Sequence, residues 1–114
     1  MEAQKIKEIY TTAIKNHPLL ELKGKNMLYT SLNGHMHTTI TKEGEMGIRL
    51  AKEDRKAYED KYGPSAVISY GATLREYVKI NDEVLANQNE LNELLTKSLN
   101  YIKTLEPKPT KKPK

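Results

Sequence analysis

The chain has 114 residues, a formal net charge of +4, and no cysteine, phenylalanine or tryptophan. This length suits one domain with a single core, and the lack of cysteine excludes disulfides and cysteine-ligated zinc. No apolar run approaches the roughly 20 residues that a membrane helix requires, and the first ten residues contain no signal-peptide pattern. We therefore expect a cytoplasmic protein without a membrane contact.

The excess charge lies in the last eight residues, PKPTKKPK, which contain four lysines and no acidic residue. The remaining residues, 1–106, hold 15 basic and 15 acidic side chains and are formally neutral. Three prolines in this short run preclude a helix, so we predict a single domain over 1–106 and a disordered Lys/Pro-rich tail over 107–114. Such a tail is either a solubilising terminus or a contact for a polyanion.

The first predicted element is a helix over Glu2–Asn16, because apolar residues recur at helical spacing from Ile6 to Ile14. Pro18 ends it. The segment Asn26–Leu50 then contains three β-prone runs separated by two turn signals, which predicts a three-stranded meander.

A two-residue turn at Asn33-Gly34 pairs Leu32 with His35 and sorts the first two strands into two faces. The predicted core face carries Met27, Tyr29, Ser31, Met36, Thr38 and Ile40, with Tyr29 opposite Thr38 and Met27 opposite Ile40. The opposite face carries Leu28, Thr30, Leu32, His35, His37 and Thr39.

For the second turn we predict a three-residue loop with Gly44 or Glu45 in the left-handed region. That loop places Ile48 opposite Ile40 and keeps the apolar residues on one face, whereas a two-residue loop would reverse the pattern.

The rest of the chain is predicted as a helix, two strands, a helical turn and a long helix. The first helix covers Lys52–Tyr62, buries Ala57 and Tyr58, and ends at Gly63-Pro64. Two strands follow within Ala66–Ile80, the second over Leu74–Ile80; a short helix over Ser65–Tyr70 is the alternative to the first. A helical turn over Asp82–Ala86 precedes an amphipathic helix over Asn87–Leu105, in which Asn87 and Glu90 form a capping-box pattern.

The predicted fold class is α+β, in the order α-β-β-β-α-β-β-α, with an antiparallel sheet and helices mainly on one face. Four segments in this order carry a resemblance to a known family: the Tyr29…Asn33-Gly34 hairpin, the Gly44…Gly47-Ile48-Arg49-Leu50 strand, the Tyr77-Val78…Ile80 strand and the closing helix. Together they resemble the N-terminal domain of the bacterial competence regulator TfoX and its stand-alone relatives. The resemblance spans roughly Lys5 to Leu105. It implies a secretion-chaperone-like fold and a loose link to transcriptional regulation. The helical C-terminal domain of TfoX has no counterpart here, and the family has no established catalytic residues, so no activity carries over.

We find no catalytic or metal-binding signature and predict neither an enzyme nor a cofactor. His35 and His37 share a strand face at a spacing that two metal ligands use, but a third ligand is lacking. The serines and carboxylates do not form a constellation for nucleophilic or acid–base chemistry.

Two surfaces are candidates for binding. An anion or nucleic-acid patch is predicted from four residues of the third and last strands, with surface pairing to Glu76 or to helix carboxylates as the alternative; these are Arg49, Arg75, Tyr77 and Lys79. A mixed polar and apolar face suits a homodimer or protein partner, with cover by Leu19–Leu22 as the alternative; it comprises Leu28, Thr30, Leu32, His35 and His37.

The leading functional prediction is a non-catalytic interaction module that binds itself or another protein through the sheet. The second is a nucleic-acid-binding accessory protein that uses the basic tail and the Arg/Tyr/Lys patch.

Overall fold

The structure is a computed structural model, and it describes residues 2–24, 28–41, 43–69 and 72–106. Met27 and the tail over 107–114, on which two of the predictions fell, lie outside the described residues. The fold is α+β, as predicted. Its elements in chain order are α1 (Ala3–Asn16), β1 (Tyr29–Leu32), β2 (His35–Ile40), β3 (Met46–Arg49), α2 (Lys52–Tyr62), β4 (Ile68–Ser69), β5 (Ala72–Thr73), β6 (Tyr77–Lys79), α3 (Asp82–Leu85) and α4 (Gln88–Lys103).

The helices begin and end within two residues of their predicted bounds, because the signals that set them are local. Helix α1 ends at His17, whose backbone is extended ahead of Pro18. Helix α4 starts after Asn87, whose side-chain oxygen accepts a hydrogen bond from the Glu90 backbone N–H at 3.1 Å. Ala57 was predicted to be buried in α2 but is exposed.

The main sheet has the strand order β1-β2-β3-β6, and every neighbouring pair is antiparallel. The turn between β1 and β2 has positive φ at both central residues, 55° at Asn33 and 81° at Gly34. Leu32 pairs with His35. The predicted two-residue turn is therefore confirmed, and positive φ at both central residues is typical of type I′.

The loop between β2 and β3 has the predicted three residues and a left-handed Gly44, with φ of 86°. It is closed by Thr41 and Glu45, whose backbones are joined by a 2.8 Å hydrogen bond. Met46, rather than Ile48, therefore lies opposite Ile40. The predicted register was wrong by two residues, and because side chains alternate with period two, the apolar residues still share one face.

A β-bulge changes the pairing of β1 with β2. Ser31 pairs with Met36, but Thr30 pairs with Thr38, so His37 is an extra residue on β2. Tyr29 consequently lies opposite Thr39, and its predicted pairing with Thr38 is wrong.

The core lies where one sheet face meets the helices. It includes Tyr10 and Ile14 of α1, Tyr58 of α2 and the leucines of α4. On the opposite face, a Cβ added at Gly47 would lie 3.3 Å from Val67. The segment that follows α2 therefore covers this part of the sheet.

Among the described residues between 66 and 80, only those of β6 join the main sheet, beside β3. The preceding strand is part of a separate hairpin in which Ile68 pairs with Thr73. The alternative helix is not formed over the described residues 65–69. Nowhere in the described part of the chain is a helix both long and apolar enough to span a bilayer.

Candidate functional site

The predicted anion patch does not form as one surface. The Nε atom of Arg49 donates to Oε1 of Glu76 at 2.7 Å, and the guanidinium lies 5.9 Å from the centre of the Tyr101 ring. Arg49 therefore follows the alternative prediction, an ion pair with Glu76.

Two further members of the predicted patch also have partners within the protein. The Tyr77 hydroxyl donates to the backbone oxygen of Met36 at 2.7 Å. The ammonium of Lys79 lies 3.7 Å from a carboxylate oxygen of Glu45. Arg75 is exposed, forms no ion pair among the described residues, and belongs to a different surface.

That surface is a groove of about 800 Å³ between helix α2 and the chain that leads from β5 into β6. Helix α2 contributes residues spaced three and four apart, which therefore share one helical face. The helical wall is formed by Lys52, Arg55, Lys56, Glu59 and Asp60. The opposite wall is formed by Ala66, Thr73, Leu74, Arg75, Glu76 and Tyr77.

Among the residues that line the groove near the start of α2, positive charge exceeds negative charge, because Glu53 and Asp54 of the first turn are not part of the lining. Lys56 lies 3.4 Å from Asp60, so that pair is balanced. Lys52 and Arg75 are exposed and form no ion pair within the described ranges. The Nε atom of Arg55 is buried and has no hydrogen-bond partner among the described residues. A buried donor without an acceptor costs about 1–3 kcal/mol, so this guanidinium favours an acidic oxygen.

Glu76 lines the groove on the wall opposite helix α2. Its backbone has a φ of 70°, in the left-handed region that few residues other than glycine adopt. Its carboxylate accepts hydrogen bonds from Arg49 at 2.7 Å and from the Tyr101 hydroxyl at 3.0 Å. Its backbone oxygen accepts from the Leu50 N–H at 2.8 Å. These contacts join β3, α4 and the start of β6.

The electrostatics of Glu76 match these contacts. Burial alone would raise the pKa of its carboxyl, but the hydrogen bonds from Arg49 and Tyr101 and the charges of Arg49 and Arg55 outweigh burial and lower the pKa. Glu76 is thus ionised at neutral pH and neutralises Arg49. Arg55 remains the guanidinium that lines the groove.

The predicted interaction face is also rearranged. Thr30 and His37 are fully buried, so their predicted place on an exposed face is wrong. The bulge at His37 is the physical reason, because it brings Thr30 next to Thr38. Leu28, Leu32 and His35, the other predicted members, are half-buried.

The buried residues form a hydrogen-bonded chain inside the domain. The Thr30 hydroxyl lies 2.7 Å from that of Thr38 and 3.1 Å from Nε2 of His37. The Thr38 hydroxyl lies 2.9 Å from that of Tyr10, and Nδ1 of His37 lies 3.2 Å from the Ser98 hydroxyl. Burial, with smaller contributions from Arg49 and His17, lowers the pKa of His37 to about 4. His37 is therefore neutral at pH 7 and links the sheet to α1 and α4.

Sequence reasoning missed the cations on the helical wall of the groove, Lys52, Arg55 and Lys56. The available signal was their spacing, because three cations three and four residues apart share one face of a helix. Carboxylates follow on that face at Glu59 and Asp60. What could not be foreseen was that Arg75, about 20 residues further along the chain, faces the same groove.

The fold and groove define a small α+β domain with a groove lined by four cations and three carboxylates. Among the described residues, no group of three or more histidines and carboxylates is arranged to hold a metal ion. Comparison with protein-family models gave no matching family, and comparison with curated proteins gave no match. The resemblance to TfoX N-terminal domains therefore stays a prediction from the sequence.

Proposed function

We propose that this protein is a non-catalytic binding module that holds nucleic acid in the basic groove. The observation that supports this most directly is the set Lys52, Arg55 and Arg75, three cations on facing walls of one groove without ion-pair partners in the described ranges. Uncompensated arginine and lysine side chains bind phosphate oxygens through charge-assisted hydrogen bonds.

Two further features favour nucleic acid over a simple anion. Leu74 and Ala66 line the groove beside the cations, so an apolar surface for a sugar or base lies next to a surface for phosphate. The Lys/Pro-rich residues 107–114 add four more positive charges to the chain, and such charges increase the affinity for any polyanion at low salt.

The direct test is fluorescence anisotropy with a labelled single strand and a labelled duplex over a range of salt concentrations. We expect binding that weakens steeply with salt, because phosphate contacts release counterions. Lys52→Ala and Arg75→Ala should each weaken binding and reduce the slope of log affinity against log salt by about 1.

The matched controls are Lys7→Ala and Lys15→Ala, which remove equally exposed charges from α1 and should leave the slope unchanged. Deletion of Pro107–Lys114 should weaken binding without abolishing it. If neither nucleic acid binds better than a neutral polymer at low salt, or if only the deletion has an effect, the groove is not the binding site.

Self-association through the sheet is a second candidate, supported by the position of β1. This strand lies at the edge of the main sheet, where Lys23 bridges Tyr29 and the other residues of β1 have no strand partner on that side among the described residues, and the apolar side chains of Leu28 and Leu32 are only half-buried. Exposed edge strands pair readily with other chains. We expect a dimer in sedimentation at high concentration that Leu32→Lys dissociates; a monomer at all concentrations would contradict this candidate.

A further inference from the structure

The charges of the groove are arranged with a direction along helix α2. Lys52 and Arg55 come first, the ion pair of Lys56 with Asp60 follows, and Glu59 adds a carboxylate on the same helical face that has no ion-pair partner among the described residues. At 1.5 Å of rise per residue, Lys52 and Glu59 are about 10 Å apart along the axis. The groove thus has a cationic end and an end at which the unpaired charge is negative.

Building on the proposed function, we infer that the groove binds a terminal nucleotide that carries a phosphate monoester, rather than a continuous stretch of backbone. The phosphate lies among Lys52, Arg55 and Arg75, and the sugar and base lie against Leu74 and Ala66. The groove volume of about 800 Å³ falls in the range of about 300–1,000 Å³ that is typical of small-ligand sites.

The cationic end favours a monoester because of its charge. A terminal phosphate has a second ionisation near pH 6 and carries a charge of about −1.5 to −2 at pH 7, whereas each internal diester carries one negative charge. Three cations line this end of the groove, and they offer more positive charge than a single diester needs. Arg49 is not among them, because it is bound to Glu76.

The acidic end disfavours continuation of the backbone. The side chain of Glu59 is exposed and has no ion-pair partner among the residues the structure describes. Its carboxylate repels a second phosphate and accepts hydrogen bonds from the hydroxyls of a sugar or the amino group of a base. A terminal nucleotide of a nucleic acid, or a free mononucleotide, places its phosphate at the cationic end of the groove and its sugar or base near Glu59.

The test compares single strands of one sequence that differ only at their ends: with a 5′-phosphate, with a 3′-phosphate, with two hydroxyl ends, and closed into a circle. We expect one of the two phosphorylated strands to bind about tenfold more tightly than the strand with two hydroxyl ends and the circular strand. Arg75→Ala should remove this preference, whereas Lys15→Ala should keep it. Glu59→Gln should narrow the preference by improving binding of the circle.

Competition by small molecules identifies the source of the phosphate. A mononucleotide should displace the phosphorylated strand, and the matching nucleoside should not. Equal binding of all four strands would overturn this inference and leave the proposed function in place. Binding of none of them would overturn the proposed function itself, and displacement by inorganic phosphate as effective as that by the mononucleotide would contradict recognition of a nucleotide.

Discussion

At the scale of single residues, Glu76 connects the fold to the groove. It adopts a left-handed backbone conformation that is unfavourable for a residue with a side chain, and its carboxylate contacts both Arg49 and Tyr101. Strained conformations persist where surrounding contacts hold them in place. Here those contacts bind Arg49 to Glu76, whereas Arg55 lines the groove on the wall formed by α2.

Replacing Glu76 with Gln should lower the free energy of unfolding by about 1 kcal/mol at pH 7, because the ion pair with Arg49 is lost. The folded-state pKa of Glu76 is lowered, so its contribution is present above the ordinary value of 4.5 and is lost as the pH falls through the lowered value. Urea unfolding of both proteins should therefore give stabilities that converge in acid.

The control for this measurement is Glu93→Gln on the exposed face of α4, which should change stability by less than about 0.5 kcal/mol. A gap between wild type and Glu76→Gln that persists at low pH would show that the effect is not the charge of Glu76.

His37 should make the stability depend on pH in a higher range. Its pKa is lowered from 6.5 to about 4 in the folded protein, so between these values the unfolded chain binds a proton that the folded chain does not. Stability is then complete above 6.5 and falls as the pH drops towards 4, by up to about 3 kcal/mol.

In His37→Gln this dependence should be much weaker, as measured by urea unfolding across that range. A weaker dependence of the same sign remains from His17, whose pKa is also lowered by burial. Lys15→Ala, which leaves the buried chain intact, should retain the wild-type dependence. An unchanged dependence in His37→Gln would mean that another group titrates.

At the scale of elements, the loop between β2 and β3 packs against the start of α1. A Cβ added at Gly44 would overlap the Cβ of Ala3 and lie 3.0 Å from its Cα. Gly44 also has a positive φ. Gly44→Ala should therefore destabilise the protein by about 3 kcal/mol, from a strained backbone and an overpacked contact.

The comparison variant is Gly63→Ala at the end of α2. Gly63 has a similar φ of 91°, but an added Cβ there meets no atom of the described residues within 4 Å, so the cost should be about 1–2 kcal/mol. Ala3→Gly should recover part of the loss in Gly44→Ala, as thermal unfolding of the double variant would show. Equal destabilisation by Gly44→Ala and Gly63→Ala would contradict this packing account.

Elements with local signals could be predicted from the sequence, and those that depend on distant partners could not. The turn at Asn33-Gly34 and the cap at Asn87 each require only neighbouring residues. The bulge at His37 is stabilised by Ser98, 61 residues away, and no pattern within β2 reveals that partner. The shift of the β2–β3 register by two residues left Ile40 and Ile48 on one face, but the bulge placed Thr30 and His37 in the interior, so the predicted faces of β1 and β2 were only partly right.

At the scale of the whole molecule, the groove beside α2 brings together several cations that have no ion-pair partner among the described residues. Some cations elsewhere are paired within the fold, as in Lys79 with Glu45 and Arg49 with Glu76. Three residues of the predicted anion patch, Arg49, Tyr77 and Lys79, lie on the neighbouring strands β3 and β6, and Arg75 lies in the turn before β6. Strand position predicted this proximity, whereas the ion-pair partners, Glu76 and Glu45, lie in segments that flank the strands.

The central claim, that the groove beside α2 binds nucleic acid, is tested most directly by NMR. The ¹H–¹⁵N spectrum of the full chain would be recorded while a short 5′- or 3′-phosphorylated single strand is added. The claim predicts that the largest shift changes fall on residues 52–60 and 73–77, and that Arg75→Ala removes them. Changes confined to β1 or to residues 107–114, with 52–60 and 73–77 unaffected, would contradict it.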